Sequence, residues 1–189
     1  ALRNPNFWYI FGTWVFISFS IYLTTTHVVP YAVDMGITRM DASITISLIG
    51  FSCIAAQIAI GKVSDSVGKR IPAIAGAILQ AFALIWLTQS HNVWMLYVFG
   101  IAFGLSWGAL GVTTFSLIAD FFRGRSLGII IGALEAGFAI GGAVGPAVGG
   151  MIYDITGSYV LAFLIGSILA LAMIIFISSI RKVQKPSQI

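Results

Sequence analysis

Six apolar runs constrain this chain more than any other feature. They cover residues 6–33, 41–63, 70–88, 93–121, 126–153 and 159–180, and each is close to or beyond the ~20 residues that a membrane-spanning helix needs. The links between them, 34–40, 64–69, 89–92, 122–125 and 154–158, are short, so successive runs must double back on one another. A backbone surrounded by hydrocarbon has to satisfy its own hydrogen bonds, and a helix does so within one segment. The pattern predicts an all-α membrane protein: a single six-helix bundle over 1–189. Composition excludes the soluble alternative. Of the 189 residues, 59% are hydrophobic and 8% charged, against roughly a quarter charged in soluble domains. Ten basic and six acidic residues cannot clothe a water-facing surface of this size, so lipid is the expected partner.

The net charge of +4 does not indicate nucleic acid, because the cations stand in short clusters between apolar runs. Arg3, Lys62, Lys69, Arg70, Arg123, Arg125, Arg181, Lys182 and Lys185, nine of the ten basic residues, fall on one side. Asp34, Arg39, Asp41, His91 and Asp154 occupy the other. By the positive-inside tendency, both termini are expected in the cytoplasm. The first run is too long for a cleavable leader and has no small-residue cleavage site behind it. The single Cys53 cannot close an internal disulfide. No metal-ligand spacing occurs, and His27 and His91 stand on separate elements, so neither a metal, a cofactor nor an enzyme is expected.

Glycines recur at four-residue steps in the fourth and fifth runs. Gly100, Gly104 and Gly108 share one helix face, as do Gly137, Gly141, Gly145 and Gly149, with Gly128 and Gly132 before them. Small residues on one face allow close approach of membrane helices. Pro146 removes a backbone donor inside the fifth run.

The second link reads Gly61-Lys62-Val63-Ser64-Asp65-Ser66-Val67-Gly68-Lys69-Arg70. It combines one acid with small residues and three bases in a tight turn. This stretch resembles the signature between the second and third helices of each six-helix half in the major facilitator superfamily. The resemblance implies one half of a twelve-helix fold, with a substrate site between two halves. The opening Ala1-Leu2-Arg3-Asn4-Pro5-Asn6-Phe7-Trp8 is similar to the entry into a second half, so a companion N-terminal half, or a second copy, is expected. The segments from His27 through Pro30 and Tyr31 to Gly36, and from Gly145-Pro146 through Tyr153-Asp154 to Tyr159, resemble the oxalate/formate antiporter and monocarboxylate porter group. Two positions depart from that group. Gln57, in Ala56-Gln57-Ile58-Ala59-Ile60-Gly61, occupies the place of an arginine, and the fifth helix carries Glu135 where oxalate transporters carry a lysine.

Several polar residues inside the runs are candidates for a transport path. Ser20, Thr24, His27 and Tyr31 lie at steps of four, three and four, on one face of the first helix, and the resemblance implies that the first and fourth helices line the cavity. Gln57 and Glu135 are the polar residues set into otherwise apolar stretches of the second and fifth. An ionisable group within a span costs about 2.5–3.5 kcal/mol on insertion scales, which points to function. Glu135 is therefore the candidate coupling acid. Trp107, with Ser106, Thr113 and Thr114, offers an aromatic wall and hydroxyls on the fourth helix. Gly61, Asp65, Gly68, Lys69 and Arg70 form the candidate gating loop, and Asp120 is placed to pair with nearby cations. The expected function is secondary active transport of a small monocarboxylate or dicarboxylate by alternating access across the inner or plasma membrane, as proton symport or antiport exchange. A drug or neutral-solute transporter and a non-transporting scaffold subunit are the alternatives.

Single cysteines introduced at Ser66 and Ser187 are expected to react with impermeant thiol reagents only from the cytoplasmic face. Labelling of either from outside intact cells would overturn the orientation.

Overall fold

The computed structural model describes residues 4–122 and 127–180, without the side chain of Asp65. Arg3, Arg123, Arg125, Arg181, Lys182 and Lys185 lie outside the described residues, and so does the expected pairing of Asp120 with Arg123 or Arg125. Six helices follow in order: α1 (Pro5–Asp34), α2 (Arg39–Val67), α3 (Arg70–Thr88), α4 (Val93–Phe121), α5 (Leu127–Thr156) and α6 (Val160–Ser179). No strand occurs among the described residues. Each helix contains a stretch long and apolar enough to cross a membrane.

Polar residues set where the helices begin. Asn4 caps α1 by accepting from the Asn6 N–H at 3.0 Å, ahead of Pro5 in the first turn. Thr38 accepts from Asp41 N–H at 3.2 Å, and its hydroxyl donates to the Asp41 carboxylate at 2.7 Å. Asn92 does the same for α4 through Met95 N–H. At the other end of α2, the expected link over 64–69 is mostly helix. Ser64 and Ser66 donate to the carbonyls of Gly61 and Val63, both at 2.9 Å, and stay within the helical turn. Chain reversal is left to Gly68, whose φ of +83° is accessible without strain only to glycine. Lys69 then reaches across to α4, where its Nζ lies 2.6 Å from Asp120 and 3.1 Å from the Ser116 carbonyl.

The bundle is built on two backbone-to-backbone seams, α2 on α4 and α1 on α5. A Cβ at Gly100 would stand 3.0 Å from the Thr45 carbonyl oxygen; one at Gly104 would collide with that of Ile49, and one at Gly108 with that of Cys53. Both partners advance four residues per contact, so α2 and α4 run parallel and in register. The second seam repeats the scheme: Gly137 on the Phe11 ring, Gly141 on Val15 and Ser18, Gly145 on Phe19, Gly149 on Leu23 and His27. Gly128 and Gly132 depart from this expectation, since neither has anything within 4 Å of a Cβ. They lie on the outward side of α5, before it meets α1.

Helix α3 fits between α4 and α6, and α1 also packs on α6. Phe99, Phe103 and Phe163, all fully buried, fill the centre with Leu84, Leu87, Leu96 and Leu110. The least buried helices are α2 and α5. Phe51, Ile54 and Ile58 on α2, and Ile129, Ile140 and Met151 on α5, face outward with more than half of their surface uncovered.

Gly104→Leu is expected to force α2 and α4 apart, because its Cβ meets a rigid carbonyl that no rotamer change relieves. Overpacking of this kind costs about 1–3 kcal/mol or more, so the purified variant should melt several degrees lower or fail to accumulate. Gly50→Ala, in open space on α2, should melt at or slightly above the parent temperature. Equal melting temperatures for Gly104→Leu and the parent would contradict the seam.

Candidate functional site

A groove of about 360 Å³ runs between α1, α2, α4 and α5. Trp14 and Ile17 line it from α1, Gln57 from α2, Trp107, Gly111, Val112 and Phe115 from α4, and Glu135 and Phe138 from α5. Helical spacing explains the set. Trp107, Gly111 and Phe115 recur at four-residue steps on one face of α4, and Glu135 and Phe138 are three apart on α5. Gly111 forms an open floor, with nothing within 4 Å of a Cβ. The seam between Gly137 and Phe11 brings α5 against α1 and sets Glu135 beside Trp14.

Among the described residues, Glu135 is the one ionisable side chain of the lining. Its Oε1 accepts from the Trp14 indole N–H at 3.3 Å, longer than the roughly 2.7–2.9 Å of a tight bond to a charged group. The Trp14 ring is nearly buried and held edge-on to Phe115 (4.8 Å, 87°) and tilted against Phe138 (5.3 Å, 50°). The carboxylate itself is exposed to the groove, as are Gln57 and Phe115. Gln57 donates to Cys53 Sγ at 3.4 Å within its own helix.

Of the residues expected to line a path, the groove unites Gln57, Trp107 and Glu135 and excludes the stripe on α1. Ser20, Thr24, His27 and Tyr31 do share one face, but that face is turned into the bundle. Ser20 donates to the Gly166 carbonyl of α6 at 3.4 Å, and Tyr31 to the Leu87 carbonyl of α3 at 3.1 Å. His27 Nε2 lies 3.0 Å from the Pro146 carbonyl of α5, which can only accept, so Nε2 carries the proton. The His27 ring rests on Tyr159 (4.8 Å between centroids), whose phenol, just outside α6, is pushed up by burial and then by neighbouring Tyr153, Asp34 and Asp154. Glycines explain the inward turn: at Gly145, Gly149 and Gly166 the neighbouring backbone comes close enough for α1 hydroxyls and the imidazole to reach it. Thr24 Oγ1 is buried with no hydrogen-bond partner among the described residues.

The hydroxyls expected beside Trp107 also turn away. Ser106 and Thr113 donate to carbonyls of their own helix at 2.7 and 2.6 Å, and Thr114 is buried. Of the signature residues, Gly61 is half-buried within α2, Gly68 ends that helix, Lys69 bridges to Asp120, and Arg70 opens α3. Asp65 falls in the last turns of α2 rather than in a loop. Trp14, Phe115 and Phe138 escaped the sequence reading. The step of four from Trp107 to Phe115 and the step of three from Glu135 to Phe138 were the available signals.

The family model of the Major Facilitator Superfamily matches residues 9–188. The chain is 33% identical over 136 residues to the tetracycline resistance protein, class D, of Salmonella ordonez, covering 68% of this chain and 33% of that protein. It is 27% identical over 125 residues to the multidrug resistance protein MdtG of Proteus mirabilis, covering 66% and 31%. It is also 23% identical over 158 residues to monocarboxylate transporter 13 of Rattus norvegicus, covering 82% and 37%. The matched stretch thus spans about a third of each relative's length. With a family match over nearly its whole length and six spanning helices, this integral, multi-pass membrane chain belongs to the Major Facilitator Superfamily.

Proposed function

We propose that this chain is one six-helix half of a secondary transporter, which moves a small molecule by alternating access and uses the Glu135 groove as its substrate and coupling site. The observation that carries the proposal is the groove itself. A lone carboxylate, exposed between four helices and held at one oxygen by Trp14, has no packing role that an apolar residue would not serve better. A scaffold subunit would leave it without a purpose. The groove is also open along one side, as one wall of a path needs to be.

A companion half, in preference to a second copy, supplies the opposite wall in this reading. The uncovered apolar faces of α2 and α5 give it a surface to rest on. Both termini and the Gly68–Lys69 turn face the cytoplasm of a cell whose inner or plasma membrane holds the protein. The Lys69–Asp120 contact ties that turn to α4 in the state described here, and it breaks and re-forms as the access side changes. Relatives whose names concern drugs and one whose name concerns monocarboxylates support small-molecule transport in general. Between the two, the lining favours the drug or neutral-solute reading over a carboxylate, since it holds an acid and no cation.

Coupling through Glu135 has a direct consequence. Glu135→Gln keeps the shape and can still accept from Trp14, but cannot exchange a proton. In proteoliposomes of the full-length protein, accumulation driven by a proton gradient should fall to the passive level, while exchange of substrate for substrate continues. Glu135→Ala should change thermal stability little, because one long hydrogen bond contributes only about 0.5–1.5 kcal/mol. Full proton-driven accumulation by Glu135→Gln would remove Glu135 from coupling.

A further inference from the structure

We infer that the ligand of this groove is a lipophilic organic cation, held by the Glu135 carboxylate and by the rings of Trp14, Trp107, Phe115 and Phe138. This rests on the transport reading above and names the substrate class of the same site. Charge is the first argument. Among the described residues the lining carries one ionisable side chain, and it is an acid. The basic residues of the described helices are elsewhere: Arg39 and Arg70 open α2 and α3, Lys62 is exposed near the end of α2, and Lys69 is engaged by Asp120. His27 is bonded to the Pro146 carbonyl on the far side of α1. An anion entering the groove would lose water and meet a carboxylate without a compensating cation from this half, whereas a cation finds its counter-ion in place.

The lining's chemistry makes the second argument. Four aromatic side chains surround the acid, two of them indoles, the ring type that attracts cations most strongly. Trp14 lies 4.8 Å from Phe115 and 5.3 Å from Phe138, which joins three of the four rings into one aromatic wall. Such a wall wets poorly, so a small hydrophilic ion gains little there and a cation bearing rings gains both apolar contact and charge–quadrupole attraction. Trp14 occupies Glu135 Oε1 alone among the described residues. The second carboxylate oxygen is therefore left for the ligand. The volume of about 360 Å³ lies within the range of small-molecule sites.

Tetraphenylphosphonium and tetraphenylborate have nearly the same shape and opposite charge, which makes them a direct probe pair. Equilibrium binding of each, and of a small monocarboxylate such as benzoate, is measured on the purified full-length protein. Tetraphenylphosphonium should bind saturably and at least tenfold more tightly than tetraphenylborate or benzoate. Glu135→Gln should weaken it tenfold or more, Glu135→Asp should restore most of that loss, and Trp107→Ala should weaken it several-fold, all at unchanged melting temperature. Preference for tetraphenylborate or benzoate, or phosphonium affinity unaffected by Glu135→Gln, would overturn the inference. The two readings fail separately. If proteoliposomes carry a monocarboxylate or neutral solute in a Glu135-dependent way while phosphonium does not bind, the cation class is wrong and transport stands. If phosphonium binds through Glu135 but no solute is moved, the site stands and transport is wrong.

Discussion

Helices in a bilayer gain nothing by excluding water from one another, so their association has to come from close packing and from polar contacts that lipid cannot offer. In this chain the close packing comes from the two seams where glycine turns lie on a neighbour's backbone, and the polar contacts tie α1 to α3, α5 and α6. Gly104 over Ile49 and Gly141 over Val15 bring main chains closer than any side chain would permit. Dispersion contacts then accumulate along four successive turns of α5 and three of α4. The rest of the bundle hangs on these two pairs, since α3 and α6 pack mainly on α4, on α1 and on each other.

The groove follows from the seams. Drawing α5 onto α1 and α4 onto α2 leaves a gap between the pairs, roofed by the Trp14 ring and floored at Gly111. Glu135 reaches this gap because, two residues before Gly137, it projects from α5 well away from the glycine face that packs on α1, and the long indole of Trp14 meets it there. The polar atoms of α1 serve the opposite purpose. Ser20, His27 and Tyr31 each spend a hydrogen bond on a carbonyl of another helix, which fixes the rotation of α1 and with it the direction of Trp14 and Ile17.

Much of this was legible in the residues. Apolar length marks the spans, and the four-residue glycine steps mark the seam faces. Gln57, Trp107 and Glu135 stood out as polar or aromatic breaks in apolar runs, and the groove brings all three together. Spacing says which residues share a face but not which neighbour that face meets. For that reason the stripe from Ser20 to Tyr31 read as a path and is a packing surface. Trp14 was illegible for the same cause: within an apolar run an indole that supports a carboxylate looks like one that touches lipid. The end of α2 falls later than expected because Ser64 and Ser66 are absorbed into the helix by bonding to its own carbonyls.

The pairing order carries a consequence for biosynthesis. If helices 1 and 4, 2 and 5, and 3 and 6 exchange labels, the pattern of major seams maps onto itself, so the bundle is two interleaved triplets. Most neighbours in the chain are poor neighbours in space: α1 touches α2, α2 touches α3 and α5 touches α6 only slightly, and α3 with α4 is the exception. The ribosome therefore releases α1, α2 and α3 into the membrane before their principal partners exist, since α4 begins at Val93 and α5 at Leu127. Until then Ser20 and His27 lack the carbonyls of α6 and α5 that they meet in the folded bundle, Gly166 and Pro146. Within this bundle the first triplet therefore waits, with those polar side chains unmatched, for the second triplet to be made.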